Sequence, residues 1–150
     1  MRVYLVIMDE TEEARVALRF ASRRAAKTDG GVHILALVPP QDFVAFGGVQ
    51  ATIEEEARDR AEMLAASAAG SLLTESGKMP TIAVRQGEGV KVIREYLVEH
   101  PEVAALVLGS AREGNPGPLV THFSQASGGL SCPVFLVPGA LTDEDIDRLS

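Results

Sequence analysis

Hydrophobic positions along this chain follow two periods. Five short runs are apolar nearly throughout: Val3–Met8, Val32–Val38, Thr81–Arg85, Val103–Leu108 and Val134–Val137. Continuous β-branched and leucine runs of this length predict parallel strands covered on both faces, not strands with one wet side. Between them, apolar residues recur at helical spacing. Ala14, Ala17, Leu18, Ala21 and Ala25 form one face, and Ala57, Ala61, Leu64, Ala65, Ala68 and Leu72 a second. Val90, Ile93 and Leu97 form a third.

Local punctuation agrees with this reading. Thr11 is a helix cap, with Glu12 and Glu13 at the positive end, and Thr28-Asp29-Gly30-Gly31 stops the first helix. Thr52-Ile53-Glu54-Glu55 has the form of a capping box opening the second helix, which Ser76-Gly77-Lys78-Met79-Pro80 breaks. The third helix follows Gly87-Glu88-Gly89 and stops at His100-Pro101. A short fourth helix begins at Pro118, a favoured first-turn residue, and ends by Ser127-Gly128-Gly129. Thr142 caps a last acidic turn through Asp143, Glu144 and Asp145. Pro39–Gln50 is left as the one long loop, and its Phe43, Val44 and Phe46 either cover a pocket or partner surface or fold back over the core edge.

The order βαβ, loop, αβαβαβ predicts an α/β fold: a single five-stranded parallel sheet with right-handed crossovers and helices on both faces. Residues 1–138 are expected to form this domain, and 139–150 a short acidic C-terminal tail. A chain of 150 residues, 46% apolar and 23% charged, is long enough for a core without staples. Its formal net charge of -7 repels phosphate backbones, which argues against a nucleic-acid partner. The opening apolar run is too short for a membrane span and lacks a cleavage pattern, and a lone Cys132 suits a reducing compartment. The expected location is cytoplasmic. Arg15, Arg19, Arg23 and Lys27 repeat every fourth residue; they form a solvated helix face or, alternatively, an anion-binding patch.

Open parallel sheets bind ligands beyond the carboxyl ends of their strands, where strand order reverses, here between the first and fourth strands. Met8–Thr11, Val38–Pro40, Gln86–Gly89 and Gly109–Thr121 should border that crevice. The last segment is rich in Gly and Pro and leads into a helix start, so it reads either as a phosphate cradle, with Arg112 as a cation and Thr121 as a hydroxyl, or as a rigid connection. Gly109 and Gly114 have the outer spacing of a P-loop, but Asn115 and Pro116 stand where Lys and Ser or Thr are required. Gly87 and Gly89 begin a dinucleotide fingerprint whose third glycine is Val92. Ser110 lacks the flanking glycines of a nucleophile elbow, since Leu108 and Arg112 occupy those positions. His33, His100 and His122 show no metal-ligand spacing with Cys132 or a carboxylate, and Cys132 is expected to pack at a strand start. The chain thus reads as a binding module, not an enzyme, with no metal site.

The strand ending in Asp9-Glu10-Thr11, the Val107-Leu108-Gly109-Ser110 strand end and Cys132-Pro133-Val134-Phe135-Leu136-Val137 together resemble the universal stress protein (UspA-like) family over nearly the whole chain. Gly117-Pro118-Leu119-Val120-Thr121 and the acidic tail resemble a bacterial subgroup of it. The resemblance implies a Rossmann-like, adenine nucleotide α-hydrolase-like sheet of strand order 3-2-1-4-5, a homodimer paired through the last strands, and a role in stress tolerance. Some members bind ATP, with Mg, through an acidic residue after the first strand, backbone after the second, and a Gly-x2-Gly-x9-Gly-Ser/Thr loop. Carried over, Asp9 takes the acidic position, Val38 the backbone position and Gly109 the first glycine. Ser110, Gly114, Gly117 and Thr121 complete the implied site. Arg112 stands where the second glycine belongs, Val120 precedes Thr121 in place of glycine, and the spacing is shorter than the pattern, so the loop is degenerate. The alternative is a homodimeric interaction module that binds no nucleotide. A hydrolase of the related nucleotide class would carry a Ser-Gly-Gly-x-Asp-Ser loop after the first strand, which Met8-Asp9-Glu10-Thr11 does not supply, and the Ser/Thr-rich phosphate loop of a flavodoxin is missing too.

Overall fold

Every residue of β1 (Val3–Met8) is buried, so it needs cover on both faces. Its neighbours β2 (Gly31–Val38) and β4 (Val103–Ser110) both run parallel to it. β3 (Thr81–Gln86) flanks β2 and β5 (Val134–Pro138) flanks β4, giving one sheet of five strands in the order β3-β2-β1-β4-β5. The expected α/β architecture and strand order are those found. The computed structural model describes residues 2–40 and 47–150; Phe43, Val44 and Phe46 lie outside the described residues.

The helices are α1 (Glu12–Lys27), α2 (Gly47–Ser76), α3 (Gly89–Glu99), α4 (Pro118–Ala126) and α5 (Asp143–Leu149). Side chains alternate across the sheet, so β1 feeds two cores. Tyr4, Val6 and Met8 join Ala17, Ala21, Ala61 and Ala65 of α1 and α2. Leu5 and Ile7 join Ile93, Tyr96 and Phe123 of α3 and α4 on the other side. The alanine stripes let α1 and α2 lie close to the sheet, and all five expected core residues of α1 are buried.

Local signals placed most helix ends. Thr11 caps α1, its Oγ1 accepting from the Ala14 N–H at 3.2 Å, and Pro118 occupies the first turn of α4. The start of α2 is a correction: the helix begins at Gly47, so Thr52 lies inside it and residues 47–50 are not loop. A capping box is a local preference, and with no proline between 47 and 52 the helical hydrogen-bond ladder continues through it.

The acidic segment after β5 is not loose. Thr142 and Asp145 form a reciprocal capping box at the start of α5, and Ile146 is completely buried. The basic stripe of α1 is its seat. Arg19 donates to both carboxylate oxygens of Asp147 at 3.2 and 3.0 Å, and Arg23 Nε donates to Oδ1 at 3.1 Å. Lys27 Nζ reaches the backbone oxygens of Asp147 and Ser150, both at 2.9 Å. Three residues of the stripe are thus engaged within the chain, not spent on an external anion. Among the described residues, no helix is long and apolar enough to cross a membrane.

Magnitudes rank these contacts. Truncating a buried isoleucine costs about 2–5 kcal/mol, whereas exposed ion pairs contribute far less. Ile146→Ala should therefore lower the chemical-denaturation midpoint more than Asp147→Asn. The hydrogen bond from Arg19 holds the Asp147 carboxyl below its ordinary value of 3.8. Because folding lowers this pKa, the folded chain binds fewer protons than the unfolded chain near that value. The contribution is complete above pH 3.8 and disappears as pH falls through the lower folded value. Asp147→Asn should flatten the acid limb of the stability profile and leave its slope near neutrality unchanged.

Candidate functional site

The carboxyl ends of β1 and β4 diverge because the chain crosses in opposite directions from them, and two cavities open there. The smaller, about 140 Å³, lies between the start of α1 and the loop into α4, lined by Asp9, Thr11, Gly109, Gly117, Leu119 and Val120 among others. The larger, about 370 Å³, runs beneath α2 and is lined by Met8, Asp9, Thr11, Leu37, Pro39, Arg60 and Leu64. Asp9 and Thr11 border both. The larger falls within the range of roughly 300–1,000 Å³ usual for small-molecule sites, and the smaller has room only for a compact group.

Asp9 is held by its own turn. Its Oδ1 accepts from the Thr11 N–H at 2.8 Å and from the Thr11 hydroxyl, which in turn caps α1. Oδ2 takes no hydrogen bond among the described residues, so a carboxylate oxygen is left at the junction of the cavities. Across from it, the cap of α4 at Gly117 carries no side-chain hydrogen bond. Pro118 has no N–H, so the first-turn donors without helical partners are those of Leu119 and Val120. They provide a small positive end where the smaller cavity lies.

The glycines of the loop have different causes. A Cβ on Gly109 would stand 2.1 Å from the carbonyl oxygen of Glu13, so β4 and the first turn of α1 touch there through bare backbone. Gly114 and Gly117 have φ of +71° and +119°, with open space where a side chain would be. They are shaped by the turn, which the Ala111 N–H closes by donating to the Pro116 carbonyl at 3.1 Å.

The structure brings Asp9, Gly109 and Gly117 around one cavity, but not the remaining expected residues. Val38 is completely buried, and its carbonyl accepts from the Gly87 N–H at 3.0 Å, while its neighbours Leu37 and Pro39 line the larger cavity. Ser110 ends β4 with its carbonyl taken by the Gly139 N–H at 2.7 Å. Gly114 and Thr121 are exposed and line neither cavity. Arg112 borders a separate concavity beside α5, with Arg15 and Thr142. Sequence reasoning missed Arg60. It lies with Ala57, Ala61 and Leu64 on one face of α2 at spacings of three and four, and a lone cation on an apolar stripe was the available signal. Burial pushes the Cys132 thiol up, which disfavours the thiolate and fits packing at a strand start. The spacing of the histidines is also overtaken by the fold, which brings His33 and His100 together with Glu102.

A doubly wound five-stranded parallel sheet in the order β3-β2-β1-β4-β5, with a carboxylate and an uncapped helix start at the point where strand order reverses, places the chain in the Rossmann-like α/β class. Within that class, the chain belongs to the universal stress protein family, whose family model matches residues 1–138. The universal stress protein UspA from Lactobacillus plantarum superposes with a TM-score of 0.77 at 17% identity, over 91% of this chain and 97% of that one. A universal stress protein family member from Burkholderia pseudomallei gives 0.73 at 16% identity, over 91% and 95%. A family protein from Arabidopsis thaliana, solved with AMP bound, gives 0.62 at 17% identity, over 96% and 95%. Comparison with curated protein sequences gave no match.

The two kinds of glycine are separable by experiment. Gly109→Ala should destabilise the ligand-free protein by about 1–3 kcal/mol through overpacking against Glu13. Gly117→Ala should cost about 1–3 kcal/mol, because its φ of +119° and ψ of 153° lie in a region open essentially to glycine alone. Thermal melts without any nucleotide measure both, and an unchanged Gly109→Ala melt would show that the close approach to Glu13 relaxes freely.

Proposed function

We propose that the chain is a stress-response module that binds an adenine nucleotide, ATP with Mg²⁺, across the crevice at the ends of β1 and β4. The observation that carries this is the position of Asp9 on the wall of both cavities. The apolar lining of the larger cavity by Met8, Leu37, Pro39 and Leu64 suits a purine, and the Asp9 carboxylate suits ribose hydroxyls. The N–H groups of Leu119 and Val120 suit phosphate oxygens, with the exposed Arg60 guanidinium at the rim of the larger cavity. The AMP-bound Arabidopsis relative supports the same ligand class. A binding role is favoured over P-loop or serine hydrolysis, since Asn115 follows Gly114 in place of the P-loop lysine and Leu108 and Arg112 replace the elbow glycines around Ser110. A single cysteine suits a cytoplasmic setting.

Titration calorimetry with ATP and Mg²⁺, alongside thermal melts, tests this. At 100 times Kd the nucleotide should add about 2.7 kcal/mol of stability, a rise of roughly 5–10 °C for a domain of this size. Asp9→Asn keeps an oxygen to accept from Thr11 and should weaken binding without unfolding α1. Absence of both heat and melting shift at millimolar ATP and AMP would overturn the reading.

A homodimer paired through β5 is the second reading, and it stands with or without nucleotide. β5 is an edge strand with β4 on one side, and its Leu136 is 42% exposed. An unpaired edge bearing an exposed leucine favours pairing with a second copy. Sedimentation equilibrium should give a dimer that Leu136→Glu converts to monomer, and a wild-type monomer at high micromolar concentration would exclude it.

A further inference from the structure

At the opposite end of the sheet, where strands begin, His33 of β2 meets the turn that joins α3 to β4. One donor atom from each of His33, His100 and Glu102 lies within 4.8 Å of the other two, the one such group of three among the described residues. The rings of His33 and His100 stand edge to face with centroids 5.6 Å apart. Both histidines are half-buried and Glu102 is exposed, so the cluster opens to solvent on its carboxylate side.

Tyr96 organises both imidazoles. The His100 ring stacks on the Tyr96 ring with centroids 3.9 Å apart and an interplanar angle of 17°. Its Nδ1 lies 3.0 Å from the Tyr96 carbonyl oxygen, an acceptor only, so Nδ1 carries the proton and Nε2 keeps its lone pair. His33 Nδ1 lies 2.8 Å from the Tyr96 hydroxyl, which accepts from Nδ1–H in the tautomer that frees Nε2. Tyr96 is itself fixed: its side chain is buried, and Arg85, paired with Glu99 at 2.7 Å, sits 5.0 Å from its ring centroid. A second hydrogen bond that fixes the tautomer and orients the ring is the usual support of a metal-binding histidine.

We propose that His33 Nε2, His100 Nε2 and the Glu102 carboxylate form a binding site for a divalent transition-metal ion, Zn²⁺ being the ion the donors suit. Two imidazoles and one carboxylate match a borderline ion and not Mg²⁺ or Ca²⁺, which take oxygen ligands. At metal–ligand distances of about 2.0–2.2 Å, tetrahedral donors sit roughly 3.3–3.5 Å apart. The exposed Glu102 side chain is free to close the remaining gap. Three protein donors leave a fourth position for water or a donor from another molecule. Bound metal would tie β2 to the α3–β4 turn, at a site independent of the nucleotide crevice.

The sequence concealed this site because one of its three ligands is not local. His100 and Glu102 are two residues apart on one turn, whereas His33 arrives through the pairing of β2 in the sheet.

The experiment is a Zn²⁺ titration of chelator-stripped protein by calorimetry, with metal content per chain after dialysis and a Co²⁺ absorption spectrum to report coordination geometry. We expect one ion per chain, the spectrum of a tetrahedral site, a raised melting temperature and no competition from Mg²⁺. His33→Gln should abolish binding, and the exposed Glu102→Gln, which leaves the fold intact, should weaken it at least tenfold. Tyr96→Phe removes only the hydroxyl and should weaken binding about 10–100-fold, the usual effect of losing such a support. Absence of binding at submillimolar Zn²⁺ would overturn the proposal. So would binding that Glu102→Gln and His33→Gln leave unchanged, which would place the ion elsewhere on the chain.

Discussion

β1 has no face left for water. Six consecutive buried residues alternate between two cores, so helices must lie on both sides of the sheet, and a chain that covers both sides must reverse its winding once. The reversal falls between β1 and β4, with β2 and β3 on one side and β4 and β5 on the other. The crevice is the consequence: the loops leaving β1 and β4 part in opposite directions, and nothing in the sheet fills the space between them. Asp9 is at the crevice because it is the first polar position after the buried run.

Close packing sets what the loop beyond β4 is free to do. Alanine faces bring α1 down onto the sheet so tightly that Glu13 and Gly109 meet backbone to backbone. A glycine that matches a phosphate-binding pattern is therefore demanded by packing alone, whatever binds. The uncapped start of α4 and the carboxylate of Asp9 are the features that packing does not require, and they carry the functional argument.

The two ends of the sheet have separate chemistry. The carboxyl end offers a carboxylate, two backbone donors and an apolar cleft, suited to an organic anion with an aromatic part. The amino end offers two oriented imidazoles and a carboxylate. Between them runs β1, buried along its whole length.

Local chemistry was legible without a structure. A cap depends on residues three apart, and a strand or helix on the period of its apolar residues, so Thr11, Pro118, the five strands and the alanine face of α1 could be read directly. The family likeness likewise rested on short segments at strand ends and agrees with the match over residues 1–138. Where α2 begins was misread because a capping box can sit inside a helix. What the sequence could not rank were contacts between residues far apart in the chain. Asp147 chose Arg19, more than a hundred residues away, and so made a helical seat of a stripe that resembled a solvated face. Arg112 was drawn away from the crevice, Arg60 was drawn to it, and His33 met His100 and Glu102. Local periodicity determines elements and their buried faces; which polar side chains meet depends on how those elements pack, and only the tertiary structure decides that.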